Sequence, residues 1–568
     1  MIKATTRFRV YSLAISMAVV GSLALGVGAT SAALTVNSTF APLVGAVAGG
    51  ASSLTAVTCT SYGNCVEVGS FETAAHHSVP LIEVQKGGVW SSVAVGLPSD
   101  VQASGNGGSA LLSISCPSFG NCVAVGRYIR NDHTNQPLID REIGGVWSNH
   151  AAPVPSDQSS PGQSYLYSVS CPSTSNCVAV GFYTAAGSSK FLIDSESSGV
   201  WSTVAAPVPS DSVASAIPSL ASVSCWSNGN CVAVGAYATW PDHSVGVFGR
   251  QAVIETETSG VWATGVVPLP SHVSTLRDDE LRTVSCTTAG YCVAGGQFRA
   301  TDAGSNYAMP LVVQRSAGSW SAPSLSLPSD EVPGLLNDAT SASCSAAGNC
   351  AVVGAFNYAS GGYTPKALLY SETGSVWKLV GVPSATAAGT YLHSVSCPTP
   401  TSCLAVGTAG YGSKQLTLSL AGNVWTSSTA PAPVGAITVN LWTVACPLSG
   451  MCVAGGDAGA VSANSRATLT SIVVQTKPWA PTITGITPLK GGFKIAFNPP
   501  GFAGGLPLVT YQYSLNNGST WAPRKPVGIA SPIVITGLPE HKPCVIVIRA
   551  TNALGAGPQS KPVTSKTL

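Results

Sequence analysis

The chain has 568 residues, of which 9% are charged, and its formal net charge is +2. Ordinary soluble proteins carry roughly 25% charged residues, and a near-neutral chain has no electrostatic hold on nucleic acid or on a strongly acidic partner. Ser, Thr, Asn and Gly take the place of Lys, Asp and Glu, so hydration of the surface does not depend on pH and suits an exposed medium, an acidic one included. The length fits two to four domains, or one large repeat array plus a module.

The first 33 residues read MIKATTRFRVYSLAISMAVVGSLALGVGATSAA. Lys3, Arg7 and Arg9 precede an uncharged, mostly apolar run from Tyr11 to Ala29, and small residues follow at 31–33. This is the pattern of a secretory signal peptide, assigned to residues 1–32. An uncleaved anchor is the alternative, because the apolar run is nearly long enough to span a bilayer. The expected location is secreted, extracellular or attached to a cell wall, with no membrane contact after cleavage. Disulfides persist there.

Sixteen of the 17 cysteines form eight pairs with one C-x5-C spacing: Cys59 with Cys65, Cys116 with Cys122, Cys171 with Cys177, Cys225 with Cys231, Cys286 with Cys292, Cys344 with Cys350, Cys397 with Cys403 and Cys446 with Cys452. They recur about every 55 residues, a period typical of propeller blades and solenoid units. Each repeat contains four β-like runs, such as LYSVSC, CVAVGFY, KFLIDSE and VWSTVAAPVP in the third. They are short, rich in Val and aromatics, and bounded by Gly, Pro, Ser or Asn. Four strands per unit fit a blade of a β-propeller, so the expectation over residues 33–476 is an all-β, eight-bladed β-propeller. Each cysteine pair closes the hairpin between the first two strands. Such a seven-residue loop removes roughly 2.4 kcal/mol of unfolded-state entropy on the chain model. Redox exchange usually needs C-x-x-C, and a metal site needs four converging ligands, so the pairs are read as structural disulfides, with no metal and no cofactor.

The eighth repeat runs LWTVAC, CVAGGD and ATLTSIVVQT and then lacks a good fourth strand. Residues Val36 to Pro42, VNSTFAP, resemble Val200 to Pro207, VWSTVAAP. The N-terminal segment is therefore expected to supply the outer strand of the last blade and close the ring.

A strand ending in Gly, doubled at Gly295-Gly296 and Gly455-Gly456, and a later Trp resemble kelch repeats of the galactose-oxidase-like class. Trp90, Trp147, Trp201, Trp262, Trp320, Trp377 and Trp425 mark that Trp in seven repeats, and Tyr370 to Trp377 keeps the Tyr-x6-Trp spacing. The resemblance implies architecture only. Most repeats have one Gly and no Tyr, the cysteine staple is foreign to kelch, and no copper-ligand constellation is present. The repeated Trp is expected to pack between blades, as are Phe71, Tyr128, Tyr183, Tyr237, Phe298 and Phe356.

Residues 477–568 resemble a bacterial fibronectin type III domain, an immunoglobulin-like β-sandwich, with Tyr511, Tyr513 and Trp521 as core aromatics. The stretch SLNNGSTW (Ser514 to Trp521) resembles a sialidase Asp-box with Asn516 for Asp, and is read as a hairpin turn. Cys544, the seventeenth cysteine, is expected to be a buried free thiol.

Function is sought on the face that carries the loops between successive sheets and the loops between second and third strands, the latter varying in length while the stapled hairpins do not. They carry Trp240, Tyr307, Tyr358, Tyr363 and Tyr411, with His76, His77, Arg130, His133 and His243. Flat aromatic faces with polar edges suit sugar rings or protein partners. The P-S-D motif at Asp100, Asp157, Asp211 and Asp330, with His272 in one copy, comes from separate blades, cannot converge on one calcium ion, and is read as turn caps. The one acidic cluster is LRDDELR, where Asp278, Asp279 and Glu280 lie near Arg299 and Asp302. Paired carboxylates would suit a glycosidase or polysaccharide lyase. No serine-hydrolase, P-loop or H-E-x-x-H motif occurs. The leading expectation is a secreted, monomeric binding or adhesion protein without catalysis, whose partner is an extracellular glycan or a cell-surface protein. The alternative is an extracellular carbohydrate-active hydrolase or lyase using the acidic loop.

Overall fold

The protein is described by a computed structural model. It covers residues 34–568 except 42–50, 74–76, 103–107, 205, 214–217, 243–246, 272, 275–276, 289, 303–304, 327, 329–336, 358–364, 382–388, 422–423, 432, 434–435, 461–462, 475–476, 502–507 and 554. The expected signal peptide lies outside the described residues.

The described residues are all-β, without a helix, and contain eight four-stranded antiparallel sheets. They are numbered one to eight by their cysteine pairs. In sheet three the strands are Ser164–Ser173, Asn176–Ala185, Ser188–Ser197 and Val200–Val204, paired in that order. The first strand of each sheet lies against the first strand of the next, and that of sheet eight lies against that of sheet one. First strands are therefore innermost, and the arrangement is that of a β-propeller. Sheet eight has three strands of its own, Thr438–Leu448, Met451–Ala460 and Ala463–Val474, and its fourth is Leu34–Phe40.

Each C-x5-C pair is a disulfide across the hairpin between first and second strands. Cys59 is bonded to Cys65, Cys116 to Cys122, Cys171 to Cys177 and Cys225 to Cys231. Cys286 is bonded to Cys292, Cys344 to Cys350, Cys397 to Cys403 and Cys446 to Cys452. The bonded Cα atoms are 4.0–4.1 Å apart.

The residues just before these staples join neighbouring sheets. In the run Ser168-Val169-Ser170-Cys171, both serine hydroxyls accept hydrogen bonds from the first strand of sheet four: Val223 N–H at 3.1 Å and Cys225 N–H at 3.0 Å. The same pair of bonds recurs from Ser113 and Ser115, Ser222 and Ser224, Thr283 and Ser285, Ser341 and Ser343, and Ser394 and Ser396 to the following sheet. Between sheets eight and one, Thr443 Oγ1 accepts from Val57 N–H at 3.1 Å. An inner strand bordered by other sheets has amides that its own ladder cannot reach, and a buried amide without a partner costs about 1–3 kcal/mol. Serine is the small residue that meets this need.

Each second strand carries a Gly at one register position. An added Cβ at Gly181 would lie 1.8 Å from the carbonyl oxygen of Tyr165, where the first strand bulges. The extra glycines have a different cause. A Cβ on Gly455 would lie 2.6 Å from Glu67 Oε2 of sheet one, and one on Gly295 would lie 3.4 Å from Val352 Cγ1 of sheet six. Glu67 and Val352 stand where sheets two, three and four have Ala124, Ala179 and Ala233. The extra glycine at 455 makes room for Glu67 on the following sheet, and a side chain at 295 would crowd Thr283 and Ala339, each 3.1 Å away, as well as Val352.

The third strands bury carboxyls between sheets. Glu83, Asp140, Asp194 and Glu255 are each 0% exposed at one repeat position. Ser92, Thr203 and Thr264 on the fourth strand donate to Glu83, Asp194 and Glu255 at 2.5, 2.9 and 2.7 Å. Among the described residues, neither oxygen of Asp140 or of the buried Glu67 has a hydrogen-bond partner. Two positions further on, Glu142, Glu196, Glu257 and Glu372 pair in register with Trp147, Trp201, Trp262 and Trp377. These groups face the preceding sheet: Glu196 lies 2.9 Å from Arg141, Glu372 accepts from Tyr291 at 2.5 Å, and Trp377 donates to Gln314 at 2.7 Å.

The P-S-D carboxylates do more than cap turns. Tyr128, Tyr183 and Tyr237 donate to Asp100, Asp157 and Asp211 at 3.4, 3.0 and 3.1 Å, tying each Pro-rich linker to the second strand it precedes. Where the chain carries His272 in the motif, the matching aromatic is Phe298, which has no hydroxyl. His272 and Asp330 lie outside the described residues.

The C-terminal residues form a three-stranded and a five-stranded sheet around one apolar cluster that includes Phe493, Phe497, Tyr511, Ile546 and Ile548, with Tyr513 packed against it. Trp521 is not part of that cluster. It is partly exposed, with the Arg549 guanidinium 4.0 Å above its ring. Cys544 is buried and unpaired. In the Ser514 to Trp521 turn, Asn516 Oδ1 accepts from Ser514 Oγ and from Thr520 N–H at 2.8 and 2.9 Å, so the segment is closed by its own side chains.

Candidate functional site at the axial mouth

First strands run from an open end, where they begin, to the stapled end, where their cysteines lie. Seven sheets place a Leu near the start of the first strand: Leu54, Leu111, Leu166, Leu220, Leu281, Leu392 and Leu441. It packs into the apolar core, so the residues on either side of it gather around the axis at the open end. Sheets one and four carry small residues there: Ser53, Thr55, Ser219 and Ala221. Sheet three carries Tyr165 and Tyr167, sheet five Glu280 and Arg282, sheet six Asp338, sheet seven Tyr391 and His393, and sheet eight Asn440 and Trp442.

Two aromatic groups result. Tyr165, Tyr167 and Phe182 stand nearly parallel, with centroids 5.0–6.1 Å apart and interplanar angles of 13–23°. Arg127 of sheet two covers the Tyr165 ring at 5.0 Å and donates to the Tyr165 hydroxyl at 3.0 Å. In the other group, His393 lies between Tyr391 and Trp442, at 6.0 and 4.4 Å. Burial lowers the His393 pKa to about 4, so its imidazole is neutral at ordinary pH. Trp442 donates its indole N–H to Asp457 and remains 39% exposed. A neutral imidazole and an indole anchored at its polar edge offer faces to a ligand without a net charge.

Between these groups lies a chain of charges. Glu280 is held by Arg250 and Arg282, at 2.6 Å from each, and Arg282 continues to Asp338. Burial raises the Asp338 pKa, against the pull of Arg282. Asp279 is 0% exposed, paired with Arg277, and accepts from the Arg299 amide at 3.3 Å. Burial also raises the Asp279 pKa, with Arg277 opposing. Asp278 is half-buried and bridges to Arg250 through the backbone.

The loop residues singled out from the sequence have several placements. Tyr411 is exposed in the turn between Ser402–Ala409 and Lys414–Ala421, with its ring against Gly389 and close to Tyr391, so it borders the mouth. Arg130 is half-exposed and paired with Asp100 at 2.9 Å, and His133 is exposed in the following turn. His77 is half-buried, and its amide donates to Thr73 Oγ1 at 3.4 Å. His76, His243, Tyr358 and Tyr363 lie outside the described residues. The backbones of Trp240, Asp302 and Tyr307 lie in strands, and their side chains are outside what is described. Sequence reasoning did not find Tyr165, Tyr167, His393 and Trp442. They sit in strands rather than loops, and their signal is a departure from the small residues that sheets one and four carry beside the Leu.

Among the described residues no cluster of His, Cys, Asp and Glu could hold a metal, and no helix is long and apolar enough to cross a membrane. No family model matches the sequence, nor does any curated protein. Solved structures do match. The polysaccharide lyase Uly1 is 9% identical and aligns with a TM-score of 0.37 over 64% of this chain and 89% of its own. The α-L-arabinofuranosidase Arb93A from Fusarium graminearum is 11% identical, with a TM-score of 0.31 over 64% of this chain and 93% of its own. A mutant of AofleA from Arthrobotrys oligospora is 11% identical, with a TM-score of 0.30 over 70% of this chain and 90% of its own. None of these alignments reaches the level at which backbone similarity speaks to chemistry.

Proposed function

We propose that the chain is a secreted glycan-binding protein. Residues 1–32 are its signal peptide, residues 33–476 an eight-bladed, kelch-like propeller, and residues 477–568 a fibronectin type III domain. Eight sheets in a closed cycle and eight disulfides support an extracellular propeller. The three-stranded and five-stranded sheets around one core support the sandwich. The observation that carries the function is the concentration of aromatic side chains on the inner strands at the open mouth, at positions where sheets one and four carry only Ser, Thr and Ala. A pyranose presents an apolar C–H face edged with hydroxyls, and aromatic rings with polar edges match it.

Removing one stacking face on each side of the mouth tests this. Trp442→Ala and Tyr167→Ala are each expected to weaken retention on a bound polysaccharide about tenfold, with an unchanged thermal midpoint. Retention equal to that of the unaltered protein in both variants would refute the site.

Catalysis is the second reading, and the raised pKa of Asp279 favours it, since a general acid must hold its proton. Against it, Asp279 and Glu280 are buried and arginine-bound. Sugar release abolished by Asp279→Asn or Glu280→Gln would favour this reading.

A further inference from the structure

Taking the glycan-binding reading as its basis, we infer that the inner face between sheets two and three is a subsite for an acidic sugar, with Arg127 reading the carboxylate. Arg250 of sheet four and Arg282 of sheet five are paired to carboxylates. Among the described residues no carboxylate pairs with Arg127. Its contacts are neutral: Nη1 donates to the Tyr165 hydroxyl at 3.0 Å and to Asn135 Oδ1 at 3.3 Å, and the guanidinium rests over the Tyr165 ring. These contacts orient the group and leave its charge uncompensated.

The surroundings are built in the same way. Asn135 is itself fixed, its side-chain amide donating to Gln163 Oε1 at 2.7 Å and its backbone amide to the same oxygen at 3.0 Å. The Tyr165 ring under the guanidinium stacks with those of Tyr167 and Phe182. A planar guanidinium offers a carboxylate parallel N–H donors, while the rings take the apolar face of the sugar. A uronate joins those two features in one residue. With a net charge of +2 the protein as a whole is a poor anion exchanger, so acid preference would come from a local site.

The test uses the full oxidised protein on immobilised polygalacturonate, a neutral galactan and dextran sulfate. Retention on polygalacturonate is expected to exceed that on galactan. Arg127→Gln is expected to cut uronate affinity about tenfold or more, the cost of one charge-assisted hydrogen-bond pair, and to leave galactan binding unchanged. Arg127→Lys, which keeps the charge without the planar fork, recovers part of the loss. Equal uronate binding by the unaltered protein and Arg127→Gln overturns the subsite while the glycan reading stands. Retention on dextran sulfate that matches polygalacturonate and ignores Arg127 also overturns it, as general ion exchange. Retention on none of the three overturns the subsite and the glycan reading together.

Discussion

Raising the pH from about 4.5 to about 8 is expected to lower the thermal midpoint by on the order of 5 °C or more. The cause is the row of carboxyls buried between sheets. Burial pushes Asp140 and Asp194 up to about 8, and Glu83 and Glu255 up to about 7, with the hydroxyls of Thr203, Ser92 and Thr264 opposing the last three only in part. Glu67 is also raised well above the usual carboxylate range, by burial and by the neighbouring charge of Glu83. A carboxyl whose folded pKa exceeds its unfolded value binds its proton more tightly in the folded state. Its contribution is therefore intact below roughly pH 4, declines as the pH rises through the unfolded value, and is fully lost above the folded one. A tenfold difference in proton affinity between the two states is worth about 1.4 kcal/mol, so several such groups together outweigh opposing effects. His393 is one of the opposing groups: its pKa is lowered, so it costs stability as the pH falls from about 6.5 towards 4. The double variant Asp140→Asn with Asp194→Asn keeps the shapes without the titration and is expected to flatten the profile and raise the midpoint at pH 8. A midpoint that is constant or rises between pH 4.5 and 8 in the unaltered protein would show that these carboxyls are not buried as described.

Deleting residues 34–41 is expected to make the protein aggregate and to lower its midpoint by about 5 °C or more, on the order of several kcal/mol. Leu34–Phe40 pairs along its whole length with Ala463–Val474, from Leu34 opposite Val474 to Phe40 opposite Thr468. Ser38 accepts from Gln415 of sheet seven at 2.6 Å, Arg466 lies 4.3 Å over the Phe40 ring, and Ala41 joins Leu54, Leu81 and Ala467 in a buried cluster. Without this segment Ala463–Val474 becomes a long unpaired edge, and such edges recruit other chains. Phe40→Ala removes only the cation–π contact and its packing, so it is expected to cost about 1 kcal/mol and leave the elution volume unchanged. Size-exclusion chromatography and calorimetry on the two variants read the difference. A deletion variant with an unchanged elution volume and midpoint would contradict the role given to this strand.

Much of the framework is legible in residue spacing. C-x5-C places two cysteines opposite each other across a tight hairpin, and no longer-range information is needed to pair Cys59 with Cys65 or Cys446 with Cys452. The four short runs per repeat mark four strands because turn residues separate them. What is not legible depends on which sheets become neighbours. In sequence, Ser168 and Ser170 are merely small, and their hydroxyls gain a purpose only when the amides of Val223 and Cys225 arrive from the next sheet. Gly455 resembles half of a kelch doublet, and its cause is Glu67, nearly 390 residues away in the chain. The mouth is hidden for the same reason. Tyr165 and Trp442 are separated by most of the propeller sequence, and variable loops are more conspicuous than single departures inside strands. The acidic run at Asp278 to Glu280 stands out in sequence because charge is scarce, and in the folded protein Asp279 and Glu280 are held by arginines.

The most direct measurement of the central claim scores retention and soluble product together when the purified, oxidised protein is passed over a panel of neutral and acidic polysaccharides. Retention on at least one of them, with no sugar released, is the predicted result. Release of product, or passage of the protein through every member of the panel, would contradict it.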